Sequence, residues 1–233
     1  KIDEKLKNLT SEESLKKYLS KTLVLSIGKT RTPKEESGLI KRWRGVINSG
    51  LVDEEIGPAL YVAAEDGHTE VVQFFLANTI ADSKATMSDG TTALNAAAEN
   101  GHVEVVQLFL AKGVDPNAAT SDGVTPLSSS AYMGHVETVR ALLANNGVNP
   151  NAIKNDGSTA LFAAAQNGHT EVVQVFLANN RVNPNATRRD GITPLSVAAQ
   201  NKHIDVVQVF LKDKRVDPNL ADQDGWTALM HLV

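Results

Sequence analysis

The chain has 233 residues and a net charge of −4, split unevenly: residues 1–50 carry twelve Lys/Arg against six Asp/Glu, and residues 51–233 carry eleven against twenty-one. It has no cysteine, which excludes a disulfide scaffold, a thiolate metal site and a cysteine nucleophile, and fits a cytoplasmic setting. No apolar run approaches the roughly 18 residues that argue for a membrane-spanning helix, and the start shows no signal-peptide pattern.

The first fifty residues are not repetitive. Residues 11–26 read as a helix capped by Ser11, with Leu15, Tyr18, Leu19 and Leu23 on one side. A polar loop follows from Gly28 to Pro33. It contains Gly28-Lys29-Thr30, the last three residues of a phosphate loop, but Leu23 stands where that motif needs its first glycine, so the cradle of backbone amides is absent. Thr32, Pro33 and Glu35 then form a cap, an N1 proline and a capping-box acid. They start a second helix in which Leu39, Trp43, Val46 and Ile47 share a face and which Gly50 ends. An exposed apolar face of this kind invites aggregation, so residues 1–53 are expected to form a helical segment that caps the rest of the chain. Arg31, Lys34, Lys41, Arg42 and Arg44 are the groups that could meet nucleic acid or an acidic membrane. That contact is not expected, because the remainder of the chain is acidic and repels phosphate.

A repeat then sets in. GHTEVVQFFL stands at 67–76, GHVEVVQLFL at 101–110, GHVETVRALL at 134–143, GHTEVVQVFL at 168–177 and KHIDVVQVFL at 202–211. The histidines, His68, His102, His135, His169 and His203, lie 34, 33, 34 and 34 residues apart. A second phrase precedes them: DGTTAL at 89–94, DGVTPL at 122–127, DGSTAL at 156–161, DGITPL at 190–195 and DGWTAL at 224–229. Asp-Gly supplies a turn with φ > 0. Thr92, Thr125, Thr159, Thr193 and Thr227 fall at helix N-caps, and Pro126 and Pro194 at N1. A short helix of small residues runs to a glycine such as Gly101 or Gly168. A second helix follows the histidine, with Val105, Val106, Phe109 and Leu110 as its apolar stripe. VDPN or VNPN then breaks it. Units of this length cannot bury an apolar face alone, so they stack into a solenoid.

These elements, recurring in register over five copies, resemble the ankyrin repeat. The resemblance assigns residues 54–233 to a repeat stack, with repeats at 55–88, 89–121, 122–155, 156–189, 190–223 and a partial 224–233. It implies an all-α solenoid: a stack of helix pairs with short β-hairpin or turn fingers along one edge. The first repeat, EIGPAL at 55–60, lacks the DG and the cap threonine. The family prefers histidine directly after T-P-L, whereas this chain has Asn95, Ser128, Phe162, Ser196 and Met230. The departure implies a lost hydrogen bond and weaker repeats. Lys202 replaces the turn glycine, at a cost of about 1 kcal/mol if held at φ > 0.

The resemblance further implies a protein-binding scaffold with no catalysis and no cofactor in this segment. Histidines in successive repeats, one helix spacing of roughly 8–10 Å apart, cannot share a zinc ion that needs ligands near about 2 Å. They are read instead as making a turn-stabilising hydrogen bond in each repeat, with His231 off register. Ser128-Ser129-Ser130 has no recognisable base and reads as small packing residues bonded back to helix carbonyls. Partner contacts are expected from large or charged residues that the repeat does not dictate: Tyr132, Met133, Phe162, Gln166, Arg188, Arg189, Ile192, Gln200 and Trp226. The expected partner is another protein, with the chain itself a monomer in the cytoplasm. Two other settings fit the half repeat at the end and the unrelated helical start. One is a targeting or regulatory arm of a larger enzyme; the other is a bacterial effector that binds a host protein in the host cytoplasm.

Overall fold

A computed structural model describes residues 26–27, 32–48, 56–78 and 86–232. The expected helix over 11–25, Arg31, the Gly50 stop and the side chains of Arg42, Val46 and Ile47 lie outside the described residues. Helix α1 spans Pro33–Asn48. Helix pairs come next, each with an inner and an outer member. The inner helices are α2 (Ile56–Glu65), α4 (Ala93–Glu99), α6 (Pro126–Met133), α8 (Ala160–Gln166) and α10 (Pro194–Gln200). The outer helices are α3 (Thr69–Asn78), α5 (Val103–Ala111), α7 (Val136–Ala144), α9 (Thr170–Ala178) and α11 (Ile204–Lys212). A 3-10 helix, Ala228–Leu232, closes the described chain. Among the described residues, β structure is confined to the antiparallel bridges Thr86–Thr92, Ile153–Thr159 and Ala221–Thr227 at the base of the fingers.

Inner helices pack on inner helices and outer on outer down the stack, and the 3-10 helix packs on α10. Leu60, Leu94, Leu127, Leu161 and Leu195 line the inner column, each 1–2% exposed. Phe75, Phe109, Leu142, Phe176 and Phe210 form the outer column and are fully buried. The alanines beside the leucines let the helices approach closely enough for the core to continue from one repeat to the next.

The helix starts follow the sequence. The hydroxyls of Thr92, Thr125, Thr159 and Thr193 accept from the amides three residues on. The expected loss of a hydrogen bond after T-P-L is corrected at three of these positions. Asn95 and Ser128 complete capping boxes with Thr92 and Thr125, and the Ser196 hydroxyl lies 2.9 Å from that of Thr193. Small polar side chains reach back to the cap as well as a ring would.

The histidines also do something different from the expectation. Each Nε2 lies against a carbonyl of the preceding unit, not of its own turn. His102 reaches Glu65 at 2.9 Å, His135 reaches Glu99 at 2.8 Å, His169 reaches Tyr132 at 2.8 Å and His203 reaches Gln166 at 3.0 Å. A carbonyl only accepts, so Nε2–H donates, and the bond ties one repeat to the next. It also satisfies a carbonyl at the end of each inner helix.

The N-terminal segment makes the same two contacts. His68 Nε2 lies 3.1 Å from the Ile27 carbonyl, and α1 packs on α3 as outer helices pack on one another. Leu39 and Trp43 of α1 are buried, and the Trp43 ring meets Phe75 edge-on at 5.1 Å.

The loops after the outer helices carry a second ladder. Asn117 donates to the Gly147 carbonyl at 2.7 Å and accepts from the Asn149 amide at 2.7 Å. Asn151 does the same with Arg181 and Asn183, and Asn185 with Arg215 and Asp217. The Arg181 guanidinium donates to the carbonyls of Leu143 at 2.8 Å and Val148 at 2.9 Å in the repeat before. Arg215 likewise reaches Leu177, Asn179 and Val182. A cation placed at a helix C-terminus also opposes the helix dipole.

Candidate partner-binding surface

The fingers are joined tip to tip. The amides of Ser121, Asn155, Arg189 and Gln223 donate to the carbonyls of Asp89, Asp122, Asp156 and Asp190 in the preceding finger, at 2.8–3.2 Å. Asn155 and Gln223 add side-chain bonds to the Ser121 and Arg189 carbonyls. Finger glycines permit this approach: a Cβ on Gly157, at φ 86°, would stand 2.9 Å from the Arg189 amide nitrogen. The fingers and the ends of the inner helices thus form one continuous wall.

On this wall Tyr132, Met133 and Trp226 are 54%, 48% and 48% exposed. Gln166 and Arg189 are exposed too. Trp226 stacks on His231 with ring centroids 5.3 Å apart. His231 is therefore engaged, between Trp226, the Gln200 amide at 3.1 Å and Asp222 at 3.7 Å. Gln200 is half-buried by this contact.

Three further residues sit differently. Phe162 is 1% exposed and has no surface to offer a partner, which corrects its place among the contact residues. The Arg188 guanidinium covers its ring at 5.0 Å. Arg188 is itself held by two hydrogen bonds from Nε to Asp190 and a further one from its terminal nitrogen. Those bonds hold the Asp190 carboxyl below its ordinary range. Ile192 is half-buried against the core.

Charge varies along the wall. Asp89, Glu99 and Asp122 share a cavity of about 340 Å³ with Asn95, Ser129, Tyr132, Met133 and Lys154. Hydrogen bonds from the Thr91 side chain and amide hold the Asp89 carboxyl low, and so ionised. Burial, then Asp66 and Glu99, push the neighbouring Glu65 carboxyl up. The later fingers add Lys154, Arg188 and Arg189 beside their aspartates. Tyr132 stands out in the sequence by its register, and Glu99 occupies the equivalent position one repeat earlier.

Among the described residues no group of three or more His, Asp or Glu side chains could hold a metal ion, and no helix is long and apolar enough to cross a membrane. Family models described as ankyrin repeats in three copies match residues 39–120 and 110–188, and one described as ankyrin repeats in many copies matches 180–231. The chain belongs to the ankyrin-repeat family, whose fold generally serves as a protein–protein interaction scaffold. No curated protein matches it closely.

Proposed function

We propose that this chain is a protein-binding scaffold that uses the finger and inner-helix wall of the stack. Residues 1–53 close its N-terminal end in this reading. The observation that carries it is the exposure of Tyr132, Met133 and Trp226 on a wall whose backbone is otherwise engaged in finger-to-finger bonds. Large aromatic and sulfur-bearing side chains left half in solvent contribute little to stacking and suit an interface centre. Arg189, Gln166 and, at the edges, Ile192, Gln200 and Arg188 complete the proposed contact set. A rigid wall loses little conformational entropy on binding.

The test is affinity capture with mass spectrometry, comparing the wild type with Tyr132→Ala combined with Arg189→Ala. Capture of the specific partner is expected to weaken by about 2 kcal/mol if either residue is a hot spot. The melting curve should move by no more than about 0.5 kcal/mol, as for other exposed substitutions. Undiminished capture would move the site away from this wall.

A further inference from the structure

We propose that the cavity between the second and third fingers receives an arginine side chain presented by the partner protein. The proposal rests on the scaffold reading and specifies the chemistry of its partner. Three carboxylates, Asp89, Glu99 and Asp122, face a cavity of about 340 Å³, near the small end of ligand pockets and suited to a single side chain. Its cation, Lys154, is already drawn to Asp156 at 3.7 Å. The cavity therefore presents net negative charge.

A second observation is independent of that charge. Ser129 lines the cavity and is 8% exposed. Its neighbours use their hydroxyls within the helix: Ser128 bonds Thr125 and Ser130 donates to the Leu127 carbonyl. The Ser129 hydroxyl has no hydrogen-bond partner among the described residues, which corrects the expectation that all three serines bond back to carbonyls. The residue is buried while its hydroxyl opens to the cavity, where it can accept from a ligand in place of water. Asn95, by contrast, is already used, accepting from Thr92 and donating to the Val124 carbonyl.

Arginine fits better than lysine. The acceptors sit on separate elements: Asp89 and Asp122 on two fingers, Glu99 at the end of α4 and Ser129 within α6. A guanidinium has five N–H donors spread in a plane and can address several of them, whereas an ammonium is a point charge. The exposed Tyr132 ring and Met133 offer a surface for the guanidinium face and the aliphatic stem. Nucleic acid is disfavoured by the same carboxylates.

The experiment pans a phage-displayed library of random dodecamer peptides against the full chain. Selected peptides are then synthesised and measured by fluorescence polarisation. Enrichment in arginine is expected. Replacing that arginine by Ala, or Glu99→Gln with Asp122→Asn in the protein, should weaken binding about tenfold or more. Replacing it by Lys, or Ser129→Ala, should weaken it by about threefold or more. Circular dichroism melts should superimpose for these variants. Peptides without arginine, or peptides indifferent to Glu99→Gln with Asp122→Asn, overturn the arginine proposal. If such peptides still lose binding to Tyr132→Ala with Arg189→Ala, the scaffold reading stands while this inference falls. A library that yields no binder at all counts against both.

Discussion

Glycine at the inner-helix turn answers two demands at once. At Gly168 φ is 74°, and a Cβ there would stand 2.7 Å from Nδ1 of His203 in the next repeat. Gly67, Gly101 and Gly134 meet His102, His135 and His169 in the same way. The turn and the histidine ladder are therefore one device: the glycine makes room for the ring that ties the repeats together. Lys202, at φ 60°, is the non-glycine residue with positive φ among the described residues, and it carries the conformational cost that glycine avoids there. Gly168→Ala should destabilise the chain by about 1–3 kcal/mol in urea melts. Lys202→Gly should stabilise it by about 0.5–1 kcal/mol, since a left-handed side-chain-bearing residue is replaced by one that adopts the conformation freely. If the two substitutions moved the midpoint the same way, the account of this turn would be wrong.

At the scale of the element, each helix is held by its buried stripe and by the groups that reach its ends. Leu161 in α8 is 1% exposed between α6 and α10. Leu161→Ala should cost about 2–5 kcal/mol as a buried truncation, and a variant as stable as the wild type would displace the register on which the stack rests. The end of α9 depends on Arg215, which reaches back across the repeat boundary and is held in place by Asp213. That hydrogen bond keeps the Asp213 carboxyl below its ordinary range. A folded-state pKa that is depressed stabilises the fold above the unfolded value, about 3.9 for Asp. The contribution fades as pH falls through that value toward the folded one. Stability measured from pH 6 down to pH 3 should therefore fall more steeply for the wild type than for Asp213→Asn. Equal slopes would show that the pair does not hold this boundary.

Across the whole molecule, stability is a sum of boundaries, because each repeat touches only its neighbours. Each boundary among the central repeats has a histidine bond on the inner side, finger bonds at the tips and an asparagine ladder on the loop side. At the N-terminal end the boundary is made by Ile27, Leu39 and Trp43 against His68 and Phe75. Removing residues 1–50 would uncover Phe75, which is fully buried. The deletion product should unfold at lower urea and aggregate more at equal concentration. A product as stable and as soluble as the full chain would make the segment an independent arm.

The sequence alone determined what is local or periodic: the DG turns, the threonine caps, the leucine and valine stripes and the spacing that makes a solenoid. These depend on residues within a few positions of one another, so they are legible without coordinates. Partner-contact candidates at Tyr132, Met133 and Trp226 were legible too, because the repeat itself prescribes nothing there. The contacts between repeats were not legible in this way. Phe162 turned inward beneath Arg188, the histidines bonded to the previous repeat, and the Arg181 and Arg215 clasps and the Asn117–Asn151–Asn185 ladder appeared. The cavity gathers residues from the second, third and fourth fingers with the inner helices between them. Phe162 and Arg188 lie 26 residues apart in the chain, and the others join groups some 30 or more apart. A repeat period says that such groups are neighbours, but side-chain rotamers and the packing around them decide which of them meet.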